Sequence, residues 1–236
     1  MDINLSDSVE IKKVSEKGNI GIFDIEGLYP GYGVTVGNSL RRALLSSLPG
    51  AAITQIRIKS VDHEFSTLPG MVEDMVEFVL NLKRVRFRML TDEPQTVTLK
   101  AKGVKEVSAG DITGNAFLEV INPDFHIASL TKKTSNLDME IVVENGLGYL
   151  PSDERKLGRL PVGTIVLDAI FSPMAGVNFK VENMRVGDRI DYNRIKLEIE
   201  TDGSIVPTDA LYEAANILQD HFGKIRDAFP APAGEK

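Results

Sequence analysis

The chain has 236 residues, 27 Lys and Arg against 34 Asp and Glu, a net charge of −7 and no cysteine. The missing cysteines exclude a disulfide framework, a thiolate zinc site, an iron–sulfur cluster and a Cys nucleophile. The acidic balance disfavours wrapping nucleic acid, whose non-specific affinity comes from neutralising phosphates, while the 42% apolar and 26% charged content fits a folded soluble protein of one large or two smaller domains.

The start, MDINLSDSVEIKK, carries acidic residues and no apolar run, so it does not read as a secretory signal. No stretch approaches about 18 continuous apolar residues, and a cytoplasmic protein is expected. VEIKKV at 9–14 and GNIGIFDI at 18–25, with Ser-Glu-Lys-Gly between, predict a β-hairpin. Glycines then cluster in GLYPGYGVTVG. The spacing of Gly31, Gly33 and Gly37 misses a dinucleotide fingerprint by one residue, so their role is read as backbone freedom before a helix.

That helix is expected over Thr35–Leu48, stopped by Pro49-Gly50. Val36, Leu40, Ala43, Leu44, Ser47 and Leu48 share one arc at 100° per residue. Asn38, Arg41, Arg42 and Leu45 share the other side, which suggests a recognition face; a solvated Arg pair with one stray leucine fits the same spacing. A strand at Ile53–Lys59 and a helix at Met71–Leu82 follow, the helix with a stripe of Met71, Met75, Phe78, Val79 and Leu82.

Lys83–Met89 alternates, with Val85, Phe87 and Met89 on one face of a strand and Arg84, Arg86 and Arg88 on the other. With Lys83, Lys100, Lys102 and Lys105, against Asp92 and Glu93, this region is locally basic: a docking surface for phosphates or an acidic partner, or simply a solvated strand face. Strands are expected at 96–101, 117–121, 137–143, 164–171, 177–181 and 196–201, with a polar, exposed excursion between Leu147 and Pro161. The last helix opens near Thr208 as N-cap. Leu211, Ala215, Leu218, Phe222, Ile225 and Phe229 are spaced four and three apart in turn, an a/d seam that fits packing against a second copy or against the chain's own sheet.

No constellation of nucleophile, base and stabilising donor emerges. His63-Glu64 lacks a second His at helical spacing, His126 reads as a satisfied, partly buried histidine, and His221 flanks the seam. Glu73 and Asp74 are read as helix neighbours pointing apart rather than a carboxylate dyad. No cofactor or metal is expected.

GYGVTVGNSLRRALLSSLPGAAIT (31–54), HEFSTLPGMVEDMVEFVLNLK (63–83), GYLPSDER (148–155), LDAIFSP (167–173) and VNFKVENMRVGDRIDYNRIKLEIETDGSI (177–205) together resemble the amino-terminal domain of the bacterial RNA polymerase alpha subunit family, over nearly the whole chain. The resemblance implies an α+β fold: a dimerisation domain of antiparallel sheet plus two helices formed from both chain ends, 1–50 and 172–229, with a strand-rich domain inserted at 51–171 and a linker beginning at 230–236. It implies a homodimeric, non-catalytic scaffold of a nucleotidyltransferase that docks the beta and beta-prime subunits, with omega and sigma in the holoenzyme.

By position, Asn38, Arg41, Arg42 and Leu45 fall to beta docking, Lys83, Leu167 and Asp168 to beta-prime docking, and Leu40, Leu44, Leu48, Leu211, Ala215, Leu218, Phe222 and Ile225 to the dimer interface. Family members usually continue into a small carboxy-terminal domain that contacts upstream DNA, so DNA contact is not expected from these residues. The rival readings are a nucleic-acid binder using the basic 83–105 region and an enzyme in its own right.

Overall fold

The computed structural model describes residues 8–59, 61, 63, 65–155 and 160–229; the expected linker at 230–236 and part of the 147–161 excursion lie outside them. The chain divides into two compact units, Met1–Leu48 with Met174–Lys236, and Pro49–Pro173. The fold is α+β, with antiparallel strands and, among the described residues, three α-helices.

The first unit begins with β1 (Glu10–Lys17), β2 (Ile20–Leu28) and α1 (Tyr32–Ser47). The second runs through β3 (Pro49–Ile58), α2 (Met75–Leu82), β4 (Phe87–Met89), β5 (Gln95–Lys102), β6 (Lys105–Ser108) and β7 (Ile112–Thr113). It continues with β8 (Leu118–Val120), β9 (His126–Leu130), β10 (Asn136–Leu147), β11 (Tyr149–Leu150), β12 (Thr164–Val166) and β13 (Ala169–Ile170). The first unit resumes with β14 (Met174–Val186), β15 (Arg189–Thr201) and α3 (Pro207–Asp227).

In the first unit the sheet order is β1-β2-β15-β14, all antiparallel. The hairpin turn falls at Gly18-Asn19 rather than at Ser15–Gly18, because Gly18 supplies the positive φ (+56°) that a two-residue turn needs. One row of β15, namely Asn193, Ile195, Leu197, Ile199 and Thr201, is buried under the helices. Phe23, Ile25, Leu28 and Val177 extend this apolar face, and Leu40, Ala43, Leu44, Leu48, Ala210 and Ala214 close it from above. The opposite sheet face is charged and internally paired: Lys12 reaches Glu26 at 2.5 Å and Arg194 reaches Glu182 at 2.8 Å.

The helix α1 starts three residues earlier than its periodicity suggests. Gly31 caps it at φ +88°, and Gly33 and Gly37 lie inside it. A Cβ at Gly33 would meet Val181 Cγ1 at 2.6 Å, and one at Gly37 would meet the Phe179 ring at 2.6 Å. The two glycines thus let the helix backbone rest directly on β14. Helix α3 starts at Pro207, which needs no N–H partner at the first position. Thr208 is therefore not the N-cap; its N–H and hydroxyl donate to Glu16 Oε1 of β1 at 2.9 and 2.7 Å.

The second unit is built on a seven-stranded sheet, β7-β5-β10-β3-β4-β8 with β12 beside β3. Helix α2 buries Met75, Phe78 and Leu82 in its core but begins at Met75, not Met71, because Asp74 caps it by accepting the Glu77 N–H at 2.7 Å. Met71 instead bridges Leu130, and Glu73, ahead of the helix, accepts the Ser129 N–H at 2.8 Å. His126 is exposed rather than partly buried, its ring 2.9 Å from Glu73 and 3.1 Å from Glu106. The alternating basic segment forms strand only at Phe87–Met89, since Lys83 is still the C-cap of α2 and Arg84 lies in the turn after it. Val85 and Phe87 nonetheless point inward, as alternation predicts. The strand expected over 164–171 is split by Leu167-Asp168, where the Asp168 carboxylate turns to accept the Ser152 N–H.

Two outcomes follow from this packing. Gly37→Val should lower unfolding free energy by about 1–3 kcal/mol through overpacking against Phe179, read as a reduced urea midpoint. Glu16, bonded by Lys13 and Thr208, is held at about 2 from an ordinary 4.5. A depressed carboxyl stabilises the fold above its unfolded value and loses that contribution as pH falls toward its folded value. Wild-type stability should therefore fall more steeply than that of Glu16→Gln between pH 4.5 and about 2 in stepped denaturant titrations; parallel curves would remove Glu16 as an anchor of α3.

Candidate assembly surfaces

Because α1 rests on the sheet through Gly33, Gly37, Leu40 and Leu44, its opposite face is fixed toward solvent. At 100° per residue that face centres on Asn38, Arg42 and Leu45, with Arg41 beside them. All four are exposed, so the structure brings this predicted set together on one surface. Among the described residues, neither Arg41 nor Arg42 has a side-chain hydrogen-bond or ion-pair partner. Elsewhere Arg57, Arg88, Arg155, Arg189, Arg194 and Arg226 each face a carboxylate. Arg41 and Arg42 are thus an exposed cationic pair that no carboxylate among the described residues neutralises.

Leu40, Leu44 and Leu48, expected at an intermolecular interface, are 7%, 0% and 1% exposed. They are spent on their own unit's core and offer a second copy almost no surface. The α3 seam divides. Leu211 and Leu218 are half-buried against the core, while Ala215, Phe222, Ile225 and Phe229 are exposed. The residues that α3 turns fully inward are Pro207, Ala210 and Ala214, one step round from the expected seam. Beyond Leu218 no residue of α3 is fully buried, so its last turns extend past the sheet with Phe222, Ile225 and Phe229 uncovered at 62%, 61% and 72% exposure. A groove of about 350 Å³ lies between the two helices, lined by Ser39, Arg42, Ser46, Ile217, Leu218 and His221.

In the second unit, Lys83 Nζ lies 3.0 Å from Asp168. The Asp168 carboxyl is held at about 2, first by the Ser152 N–H and then by Lys83. The two predicted residues are thus brought together, as a pair that ties the end of α2 to the loop after β11. Leu167, predicted beside them as a docking residue, is 3% exposed and packs in the core. The basic 83–105 region is largely compensated: Arg88 faces Glu119 at 3.1 Å, Lys105 faces Asp111 at 2.5 Å, Lys100 lies 3.8 Å from Asp138, and Arg84 stacks over Phe125.

Sequence reasoning missed Asn193. Its side-chain oxygen accepts the N–H groups of Gly31 and Gly33, at 3.0 and 3.2 Å. The signal was present: a polar residue at an inward position of the alternating run NRIKLEIET. Arg189 was also missed; it stacks over Tyr29 and Tyr192 at 5.3 and 5.4 Å near the start of α1. No helix among the described residues is long and apolar enough to cross a membrane.

Residues 56–172 match the family model for the RNA polymerase Rpb3/RpoA insert domain. The DNA-directed RNA polymerase subunit alpha of Symbiobacterium thermophilum is 49% identical over 213 residues, covering 90% of this chain and 67% of that protein. The same subunit of Alkaliphilus oremlandii is 46% identical over 213 residues, with 90% and 67% covered. That of Geobacter metallireducens is 49% identical over 212 residues, with 90% and 62% covered. Over a sheet-and-helix unit interrupted by this insert domain, such identity makes the chain a member of the DNA-directed RNA polymerase alpha subunit family.

Proposed function

We propose that the chain is a non-catalytic, homodimeric scaffold of a cytoplasmic bacterial RNA polymerase, docking the beta and beta-prime subunits for transcription. The first unit is the dimerisation domain and the second the insert. The observation that carries this reading is the outer face of α1, where Arg41 and Arg42 lie exposed and uncompensated beside Asn38 and Leu45. A guanidinium's planar fork suits a carboxylate held in two bonds, and an adjacent leucine supplies apolar contact without competing charge. That surface fits an acidic and partly apolar patch on beta.

The exposed end of α3 supports the dimer. A helix end lacking packing on any side is marginal in water. Covering Phe222, Ile225 and Phe229 would each contribute about 1.5–3 kcal/mol if fully buried, and a two-fold pairing lets each copy cover the other's. Dimer contact then runs through Ala215, Phe222 and Ile225, with Leu211 and Leu218 behind them. For beta-prime, the Lys83–Asp168 pair acts by holding the local surface in shape, its charges already satisfied by each other. Nucleic-acid binding through the 83–105 region is the weaker reading, because Lys83, Arg88, Lys100 and Lys105 already face carboxylates.

Arg42→Ala should leave the dimer intact and weaken co-purification with beta about tenfold or more, the scale of a charged, desolvated contact; undiminished retention would sink the docking role of α1. Phe222→Glu combined with Ile225→Glu should shift sedimentation from dimer to monomer. Both side chains lie outside the protomer's core, so circular dichroism of the variant should remain that of a folded chain. An unchanged mass would place the dimer contact elsewhere.

A further inference from the structure

Helix α1 cannot cap itself. Its N-cap is Gly31 at φ +88°, where any side chain bearing a Cβ is strained, and no side chain of its own bonds the first turn. Its first turn contains no acidic residue. The free N–H groups of a helix start still need acceptors when buried. Asn193, 160 residues and more away on β15, provides one: its Oδ1 accepts from Gly31 N at 3.0 Å and Gly33 N at 3.2 Å.

Three further features show that the site is built around this contact. Asn193 is only 8% exposed and occupies the inward row otherwise filled by Ile195, Leu197 and Ile199. Its amide nitrogen lies 3.3 Å from Asn183 Oδ1, so its oxygen is left facing the helix. Gly33 makes room for it, since a Cβ there would lie 3.1 Å from Asn193 Oδ1 and 2.6 Å from Val181 Cγ1. The oxygen therefore fixes where α1 begins along its axis, while the glycines fix how deeply it sits.

We infer that Asn193 is a positioning residue for partner docking: by capping α1 from the sheet, it holds the Asn38–Arg41–Arg42–Leu45 face in the register that a large partner subunit reads. This inference rests on the docking role of α1 stated above, and a slide of one helical residue, about 1.5 Å, would misplace both guanidinium forks. An apolar residue at 193 would satisfy the strand's packing but leave the buried Gly33 N–H without an acceptor and the exposed Gly31 N–H to water.

The test uses the full-length dimer with Asn193→Leu, Asn193→Asp and Arg42→Ala, each read by amide hydrogen exchange and by retention of the beta subunit. In Asn193→Leu, exchange at Gly31 and Gly33 should quicken about tenfold, the scale of a lost cap, and beta retention should fall while the sedimentation mass stays dimeric. Asn193→Asp keeps an acceptor oxygen at a helix N-terminus and should restore both readouts. If Asn193→Leu does not fold, Asn193→Ala is read in its place. Unchanged exchange at Gly31 and Gly33 would overturn the capping role. Quickened exchange with full beta retention, in a preparation where Arg42→Ala does lose beta, would overturn the positioning role and leave the docking face standing. Loss of retention in neither variant would instead sink the docking reading itself.

Discussion

A helix laid on a sheet must find acceptors for its first N–H groups, and in the first unit neither helix has a side-chain cap of its own. The cap of α1 is a glycine and that of α3 a valine. The sheet supplies both missing oxygens: Asn193 from β15 for α1 and Glu16 from β1 for α3. An unpaired buried donor costs on the order of 1–3 kcal/mol, comparable with burying a leucine side chain. The constraint therefore ranks with the apolar core in deciding where the helices lie. Sliding either helix along the sheet would orphan these donors, whereas hydrophobic contact alone tolerates small slides because it has no direction.

Fixing the helices fixes what they leave outside. The sheet's far surface carries charges that neutralise one another through Lys12, Glu26, Arg194 and Glu182. The insert behaves alike, with Lys83 against Asp168 and Arg57 against Glu140. Exposed ion pairs of this kind add little to stability, about 0–1 kcal/mol, but they remove potential partners from competition. Against that background the unanswered Arg41 and Arg42 create a local positive field on a chain of net charge −7. A cationic patch on an acidic chain favours an acidic partner at that site through charge complementarity.

Periodicity made much of this visible in the sequence and left particular parts hidden. The two faces of α1 were legible because helical spacing reports burial directly: Leu40 and Leu44 inside, Asn38 and Arg42 outside. The same spacing placed the α3 seam one step from the truly inward line of Ala210 and Ala214, since small alanines carry little hydrophobic signal while Leu211 and Leu218 carry much. Helix starts were misjudged wherever the cap lay far away or was ambiguous. Thr208 resembles an N-cap but donates to Glu16, and Asp74, not Met71, opens α2. The Lys83–Asp168 contact joins positions 85 residues apart, a separation that no local pattern encodes. Leu167, adjacent to Asp168, illustrates the cost of reading neighbours together: in the break between β12 and β13 one turns into the core while the other turns to Ser152 and Lys83.

The sheet holds the two helices unequally. Helix α1 is gripped along its whole inner side, by glycines at one end and by Leu40, Ala43 and Leu44 further on, so its outer face is rigid. Helix α3 is gripped only over its first half and then runs on with Phe222, Ile225 and Phe229 uncovered. A rigid polar face suits recognition by directional bonds, which lose strength quickly when groups shift. An overhanging apolar ridge suits association that tolerates adjustment, since its gain depends on covered area more than on angle. In the scaffold role proposed above, the arginine face of α1 would meet its partner from a platform that the same sheet has already set.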